Sequence, residues 1–223
     1  MSEFKIIDIQ KRVYENNDAK AELLRKDLKE SKTFMINLMS SPGSGKTTLV
    51  VGTVNNLKDQ IDIGVIEADI DSDVDAITVA KSGAKVMQLH SGGMCHLDAG
   101  MARTGLDAIE YKELDFVILE NIGNLSCPAS YDLGQGKNVM ILSVPEGHDK
   151  PLKYPKMFSK VDVLIVSKID TVSVFDFDFE ACESYVRELN PNIKIFPVSA
   201  KTGEGMDVYC QWILKEIKEW KVL

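Results

Sequence analysis

One segment limits what this chain can fold into more than any other. An apolar run of β-type residues, Phe34–Met39, leads into Ser40-Ser-Pro-Gly-Ser-Gly-Lys-Thr-Thr48, and a helix-length stretch, Leu49–Leu57, follows. Strand, glycine-rich loop and helix in that order form a phosphate cradle. Gly43 and Gly45 permit a tight turn whose backbone N–H groups, with those of Ser44 and Thr48, point inward at an anion. Lys46 can neutralise terminal phosphates, and the Thr47 hydroxyl can ligate Mg²⁺. The helix N-terminus adds donors and a favourable dipole. The place five residues before Gly45, commonly glycine in such loops, is Ser40.

The rest of the chain fits a domain built around that loop. It has 223 residues, 44% of them hydrophobic and 27% charged, enough for a sizeable core. After Lys32, apolar runs alternate with helix-length stretches: Ile63–Ile66, Lys85–Leu89, Phe116–Leu119, Val139–Val144, Val161–Val166 and Ile193–Val198. Several are apolar at nearly every position, as strands covered on both faces are. Such alternation implies right-handed crossovers and a mostly parallel sheet. We therefore expect an α/β P-loop NTPase with helices flanking a central sheet, over residues 32–223. Residues 1–31, charged and apolar at helical spacing (Ile6, Ile9, Val13, Leu24, Leu28), are expected to form a helical arm packed on it. Asn16-Asn17-Asp18 would cap a second helix there or interrupt one. The net charge of −8 argues against a nucleic-acid partner. No apolar run approaches the ~18 residues of a membrane helix, and the N-terminal residues lack the apolar centre of a secretory signal. A cytoplasmic protein is expected.

The base and the γ-phosphate are read from later segments. Guanine presents N1–H and N2–H donors that a carboxylate recognises. Ser167-Lys-Ile-Asp170 follows a strand-like run, so Asp170 is placed to accept from guanine while the stem of Lys168 packs across the ring. The familiar GTPase motif has Asn where Ser167 stands, and serine reaches less far. Ser199-Ala200-Lys201 follows the last run, where GTPases place backbone contacts to the guanine oxygen. Together these favour GTP/GDP over ATP. Asp69 and Glu120, each ending a strand, are carboxylate candidates for Mg²⁺ beside Thr47, with Asp71, Asp73 and Asp75 as competitors for Asp69. Lys46 and Glu120 are the expected catalytic groups. Gly123 can present its N–H to a γ-phosphate. No glutamine stands where it would orient an attacking water, so unassisted hydrolysis should be slow.

Four cysteines, at 95, 127, 182 and 210, contain no C-x-x-C pair and read as reduced thiols. Cys182 and Cys210 have apolar neighbours and read as core, and His90 and His148 read as ordinary. Cys95-His96 differs: adjacent ligands share an ion only on irregular backbone, which Gly92-Gly93 before a helix would supply. Cys127 lies seven residues after Glu120, on the segment expected to answer to the γ-phosphate. Thiolate and imidazole suit Zn²⁺ or Ni²⁺ and not Ca²⁺ or Mg²⁺. Three ligands leave a four-coordinate ion short, so a two-fold dimer sharing the site is a plausible completion.

These segments together, S-S-P-G-S-G-K-T-T, C-H-L-D-A (95–99), E-N-I-G-N-L-S-C-P-A (120–129) and S-K-I-D, resemble the nickel-insertion GTPases of [NiFe]-hydrogenase maturation, kin of the urease-accessory GTPase. The likeness runs over nearly the whole chain, including D-K-P-L-K-Y-P (149–155) and S-A-K-T-G-E-G-M-D (199–207). It implies a homodimerising GTPase with a nucleotide-switched metal site that hands nickel to a hydrogenase large-subunit precursor. By matching position it assigns Cys95, His96 and Cys127 to Ni²⁺ or Zn²⁺, and Lys46, Thr47 and Asp170 to the nucleotide. It further implies a small zinc-containing nickel chaperone as partner, with the N-terminal arm as docking surface. Many members carry an N-terminal Cys-x-x-Cys or His-rich nickel store. The residues MSEFKIIDIQ contain neither. The same machinery serving urease, and a metal-dependent dimerisation module with negligible turnover, are the competing expectations.

Overall fold

The structure is a computed structural model that describes residues 9–69 and 73–222, with side chains from Tyr14 onward. Ile6 and Asp71, named in the sequence analysis, lie outside the described residues, as do the side chains of Ile9 and Val13. Seven parallel strands form one sheet: β1 (Phe34–Ser40), β2 (Ile63–Asp69), β3 (Lys85–His90), β4 (Phe116–Glu120), β5 (Lys137–Ser143), β6 (Val163–Ser167) and β7 (Lys194–Pro197), in the order β3-β2-β4-β1-β5-β6-β7. Each coincides within a few residues with an apolar run of the sequence. β1, β4 and β6 are buried at every position, which is why they read as continuous rather than alternating.

The helices are α1 (Ile9–Glu30), α2 (Lys46–Leu57), α3 (Val74–Ala80), α4 (Ala99–Ala108), α5 (Lys150–Lys153), α6 (Pro155–Phe158), α7 (Phe179–Leu189) and α8 (Met206–Val222). The larger core cluster joins α1, α2, α4 and α8 to β1, β2 and β4; a second lies beneath α6 and α7. Cys182 and Cys210 are buried in these clusters. Leu24 and Leu28 of α1 are fully buried, and Trp220 of α8 lies edge-on to Phe34. No described helix is long and apolar enough to cross a membrane.

α1 is one unbroken helix through Asn16-Asn17-Asp18, so the break that these residues suggested does not occur. Asn17 spends its side chain on tertiary partners instead of on its own backbone, which removes the competition that makes asparagine a helix breaker.

All strands point one way, so their C-terminal ends gather Ser40, Asp69, His90, Glu120, Ser143, Ser167 and Pro197 along one edge. Open parallel sheets bind ligands outside that edge, where the strand order reverses. Here the reversal falls at β1, flanked by β4 and β5.

Candidate functional site

The phosphate loop runs from Ser40 into α2, which begins at Lys46, three residues earlier than the apolar spacing suggested. Gly43 and Gly45 adopt φ of 75° and 96°, the left-handed region that glycine enters without strain. Ser44 is buried, and its hydroxyl has no partner within the protein. An orphaned buried donor at the centre of the loop is what a cradle for an absent anion presents. Lys46 extends toward Glu120, 3.6 Å from its carboxylate. Thr47 is half-buried and Thr48 exposed.

The guanine-type loops lie against this cradle. A cavity of about 370 Å³ is lined by Ser44, Gly45, Thr48, Lys168, Asp170 and Ala200, among others, with Ser199 and Lys201 completing its wall. Lys168, at φ 60°, donates from Nζ to the Gly43 carbonyl (2.7 Å). Ser199 Oγ donates to Asp170 Oδ1 (2.7 Å), fixing the carboxylate at the mouth. Ser167, where the familiar motif has asparagine, donates to the Ser44 carbonyl at 2.8 Å. Its shorter reach suffices because β6 brings it directly onto the phosphate loop.

Beside the phosphate position lies a group that the sequence reading passed over. β2 and β4 are adjacent, and their register sets Glu67 opposite Glu120. Both carboxyls are buried, and each keeps one oxygen without a partner. Burial, then the facing Glu120, pushes the Glu67 carboxyl up to about 9. Burial raises Glu120 to about 7, against the pull of Lys46. The pair thus holds a proton near neutrality, since two buried carboxylates this close do not both ionise readily. Asp69 stands two residues further, half-buried at the end of β2 opposite His90. Asp73 precedes α3, and Asp75 on its first turn lies close enough to act on both glutamates. The sequence offers one partial signal for Glu67, a charge two residues before the end of a buried strand, but its pairing with Glu120 comes from strand order.

The unpartnered oxygens of Glu67 and Glu120 suit a hard divalent cation, which prefers carboxylate and water oxygens. Glu120 lies 3.6 Å from Lys46, the neighbour of Thr47 in the chain, so a nucleotide-associated Mg²⁺ fits the oxygens these residues offer once the shared proton is released.

The sulfur and imidazole groups converge on a separate point. Cys95 Sγ lies 2.9 Å from Cys127 Sγ and 3.8 Å from His96 Nδ1, and all three ligand atoms fall within 4.8 Å of one another. Gly92 and Gly93, at φ 62° and 93°, supply the irregular backbone that lets neighbouring residues share one point. Asp98 then caps α4 by accepting from the Met101 N–H (2.8 Å). A hydrogen bond to Cys127 raises the Cys95 thiol, so an arriving ion must displace a proton. Burial lowers His96, which favours the neutral, ligating imidazole. Asn124 Nδ2 donates to the Cys95 carbonyl (3.3 Å), tying the two ligand loops together. The Cys127 loop also touches the phosphate loop: a Cβ on Gly123 would lie 3.1 Å from Pro42 Cγ. His148 is half-buried against Phe177, and His90 is exposed; neither joins the cluster.

A parallel sheet with a phosphate loop on its central strand, a guanine-type wall and a Cys-His-Cys cluster define a P-loop nucleotide-binding protein with a candidate soft-metal centre. Residues 34–197 match the family model described as "CobW/HypB/UreG, nucleotide-binding domain". The chain is 41% identical over 213 residues to the Hydrogenase maturation factor HypB of Rhizobium leguminosarum bv. viciae, covering 96% of this chain and 71% of that protein. It is 37% identical over 221 residues to the Hydrogenase/urease maturation factor HypB of Helicobacter pylori, covering 96% and 90%. Among solved structures, HypB from Helicobacter pylori in complex with nickel superposes with a TM-score of 0.87 at 38% identity, over 92% of this chain and 96% of that one. HypB from Archaeoglobus fulgidus does so with a TM-score of 0.84 at 32% identity, over 91% and 98%. The chain belongs to the CobW/HypB/UreG family, on its HypB branch.

Proposed function

We propose that this chain is a cytoplasmic GTP-hydrolysing metallochaperone that carries nickel, or zinc, at a nucleotide-switched site and assists nickel insertion into [NiFe]-hydrogenase. One observation carries the reading. The segment from Glu120 to Cys127 runs from the phosphate site, past Pro42 at Gly123, to the metal cluster. A change at the γ-phosphate position therefore bears on a metal ligand. The relatives named for hydrogenase maturation, and the nickel complex of the Helicobacter pylori protein, support nickel as the cargo.

In this reading Gly43, Ser44, Gly45, Lys46, Thr47 and Thr48 hold the phosphates, while Lys168, Asp170, Ser199, Ala200 and Lys201 hold guanine. Mg²⁺ is held by Thr47 and Glu120, with Asp69 or Glu67 as further carboxylate. Lys46 and Glu120 stabilise charge during a slow intrinsic hydrolysis. Cys95, His96 and Cys127 hold the cargo, and a second copy of the chain completes its coordination in a homodimer. The helix within residues 1–31 forms the docking arm for a zinc-containing nickel chaperone, and the hydrogenase large-subunit precursor receives the metal.

The test is a Ni²⁺ titration of the GDP-bound and GTP-analogue-bound protein. Coupling is reciprocal, so a tenfold difference in nickel affinity requires a tenfold difference in nucleotide affinity, about 1.4 kcal/mol. Equal affinities in both states would refute the switch. Delivery to urease as well is a second reading, carried by the double name of the Helicobacter pylori relative. A metal-dependent dimerisation module predicts no turnover and dimers that follow metal alone.

A further inference from the structure

Asn17 and the aromatic pair Tyr14–Tyr131 connect α1 to both loops that carry the Cys-His-Cys cluster. Asn17 is buried, and both ends of its amide are used. Its Nδ2 donates to the Asp132 carbonyl (2.8 Å), five residues beyond Cys127. Its Oδ1 accepts from the Ala99 N–H (2.9 Å), three residues beyond His96. Ala99 opens α4, so its N–H has no partner within the helix, and Asn17 supplies one from another element. A single side chain of α1 thus fixes the separation of the two ligand loops at their bases.

The imidazole is held in a second way. Tyr131 stacks on His96 with ring centroids 3.9 Å apart and planes 14° from parallel. Tyr131 also meets Tyr14 of α1, with ring centroids 5.2 Å apart. Arg25 of α1 grips Asp132 with two bonds of 2.7 Å, and Arg103 of α4 pairs with Asp27 of α1. The exposed Cys95 has little packing of its own to hold it.

We propose that Asn17 and Tyr131 are positioning residues of the metal cluster: α1 acts as a latch that holds the two loops at ligating distance and sets the plane of the His96 ring. The proposal rests on the reading of Cys95, His96 and Cys127 as the metal site. It follows that whatever displaces α1 lowers metal affinity without touching a ligand. Groups that orient ligands from behind change metal affinity by about 10–100-fold when lost.

The test uses the full chain and Ni²⁺ alone as probe, with affinity from competition against a chromophoric chelator. Asn17→Ala and Tyr131→Leu are each expected to weaken Ni²⁺ binding about tenfold. GDP affinity should stay within twofold, and the Ni²⁺–thiolate charge-transfer band should keep its position, since the ligands are unchanged. Tyr131→Phe keeps the stack on His96 and should bind within twofold of the parent protein, which separates ring orientation from general destabilisation. Cys95→Ala is the reference variant. If it binds Ni²⁺ like the parent, the metal-site reading itself fails. If it loses Ni²⁺ while Asn17→Ala and Tyr131→Leu keep parental affinity, the latch alone is overturned. An equal loss of GDP affinity in those two variants would also overturn it, by showing a defect of the whole fold. Should Asn17→Ala not fold, the contrast between Tyr131→Leu and Tyr131→Phe decides.

Discussion

The nucleotide pocket and the metal cluster sit on the same sheet but are held in different ways. The pocket loops follow directly from β1, β6 and β7 and bond to one another at close range: Ser167 to Ser44, Lys168 to Gly43, Ser199 to Asp170. The metal loops follow β3 and β4, and β2 lies between those strands. They meet through Asn124 and are supported by residues of α1. One site is locked by the sheet edge itself; the other, in the latch proposal, is held by α1, which precedes the sheet in the chain. A site of the first kind is rigid before its ligand arrives, and a site of the second kind can be opened from a distance. That difference suits the proposed role, in which the metal is handed on.

The largest effect that would probe this division is loss of a ligand. Cys127→Ala should weaken Ni²⁺ binding by at least about a hundredfold, more than any supporting residue costs. In metal-free buffer its GDP affinity should equal that of the parent protein. Calorimetric titration of both ligands checks it, and a fall in metal-free GDP affinity would show that the two sites are one unit. Asp170→Asn addresses the other side. The amide oxygen can still accept from Ser199, so the loop keeps its place, but charge-assisted bonds to guanine are lost. GDP affinity should drop about a hundredfold, roughly 3 kcal/mol, and preference should move toward xanthosine diphosphate. An unchanged preference removes Asp170 from base recognition.

The same division decides what could be read from the sequence. The seven strands were legible because a parallel sheet buried on both faces leaves unbroken apolar runs, and Phe116–Leu119 and Val163–Val166 are clear cases. The phosphate loop was legible because its chemistry is local: glycines, lysine and hydroxyls act within nine residues. Cys95, His96 and Cys127 could be proposed from residue type, and the structure brings them together. Their supports could not. Asn17 lies 82 residues from Ala99 and 115 from Asp132, and nothing in its local sequence separates a tertiary clamp from a helix cap. Glu67 was hidden differently. Attention to strand ends selected Asp69, while the register that sets Glu67 against Glu120 belongs to strand order, which the runs alone do not encode.

A smaller effect sharpens the view that the sheet edge locks the pocket. Ser167→Ala removes the donor to the Ser44 carbonyl and leaves a buried acceptor without its partner. A cost of about 1–2 kcal/mol is expected, which lowers Tm by roughly 2–4 °C per kcal/mol in a chain of this size. GDP affinity should fall about tenfold, and metal affinity should not change. Thermal melts with and without GDP check this; an unchanged melt would mean that the phosphate loop holds its shape without β6.

The last comparison concerns the carboxyl pair, measured without nucleotide and in chelator so that no cation complicates it. In the folded chain the Glu67 carboxyl sits at about 9, against 4.5 for an ordinary glutamate. Between those values the folded protein keeps a proton that the unfolded chain has released. Stability from this group is therefore complete below about pH 4.5 and is lost as pH climbs toward 9. Glu67→Gln has no such proton to lose, and with a neutral neighbour Glu120 ionises more readily beside Lys46. The decline in Tm from pH 6 to pH 8.5 should accordingly be shallower in the variant than in the parent. Parallel slopes would mean that the two buried glutamates do not share a proton, and that the phosphate end of the molecule is poised by Lys46 and Glu120 alone.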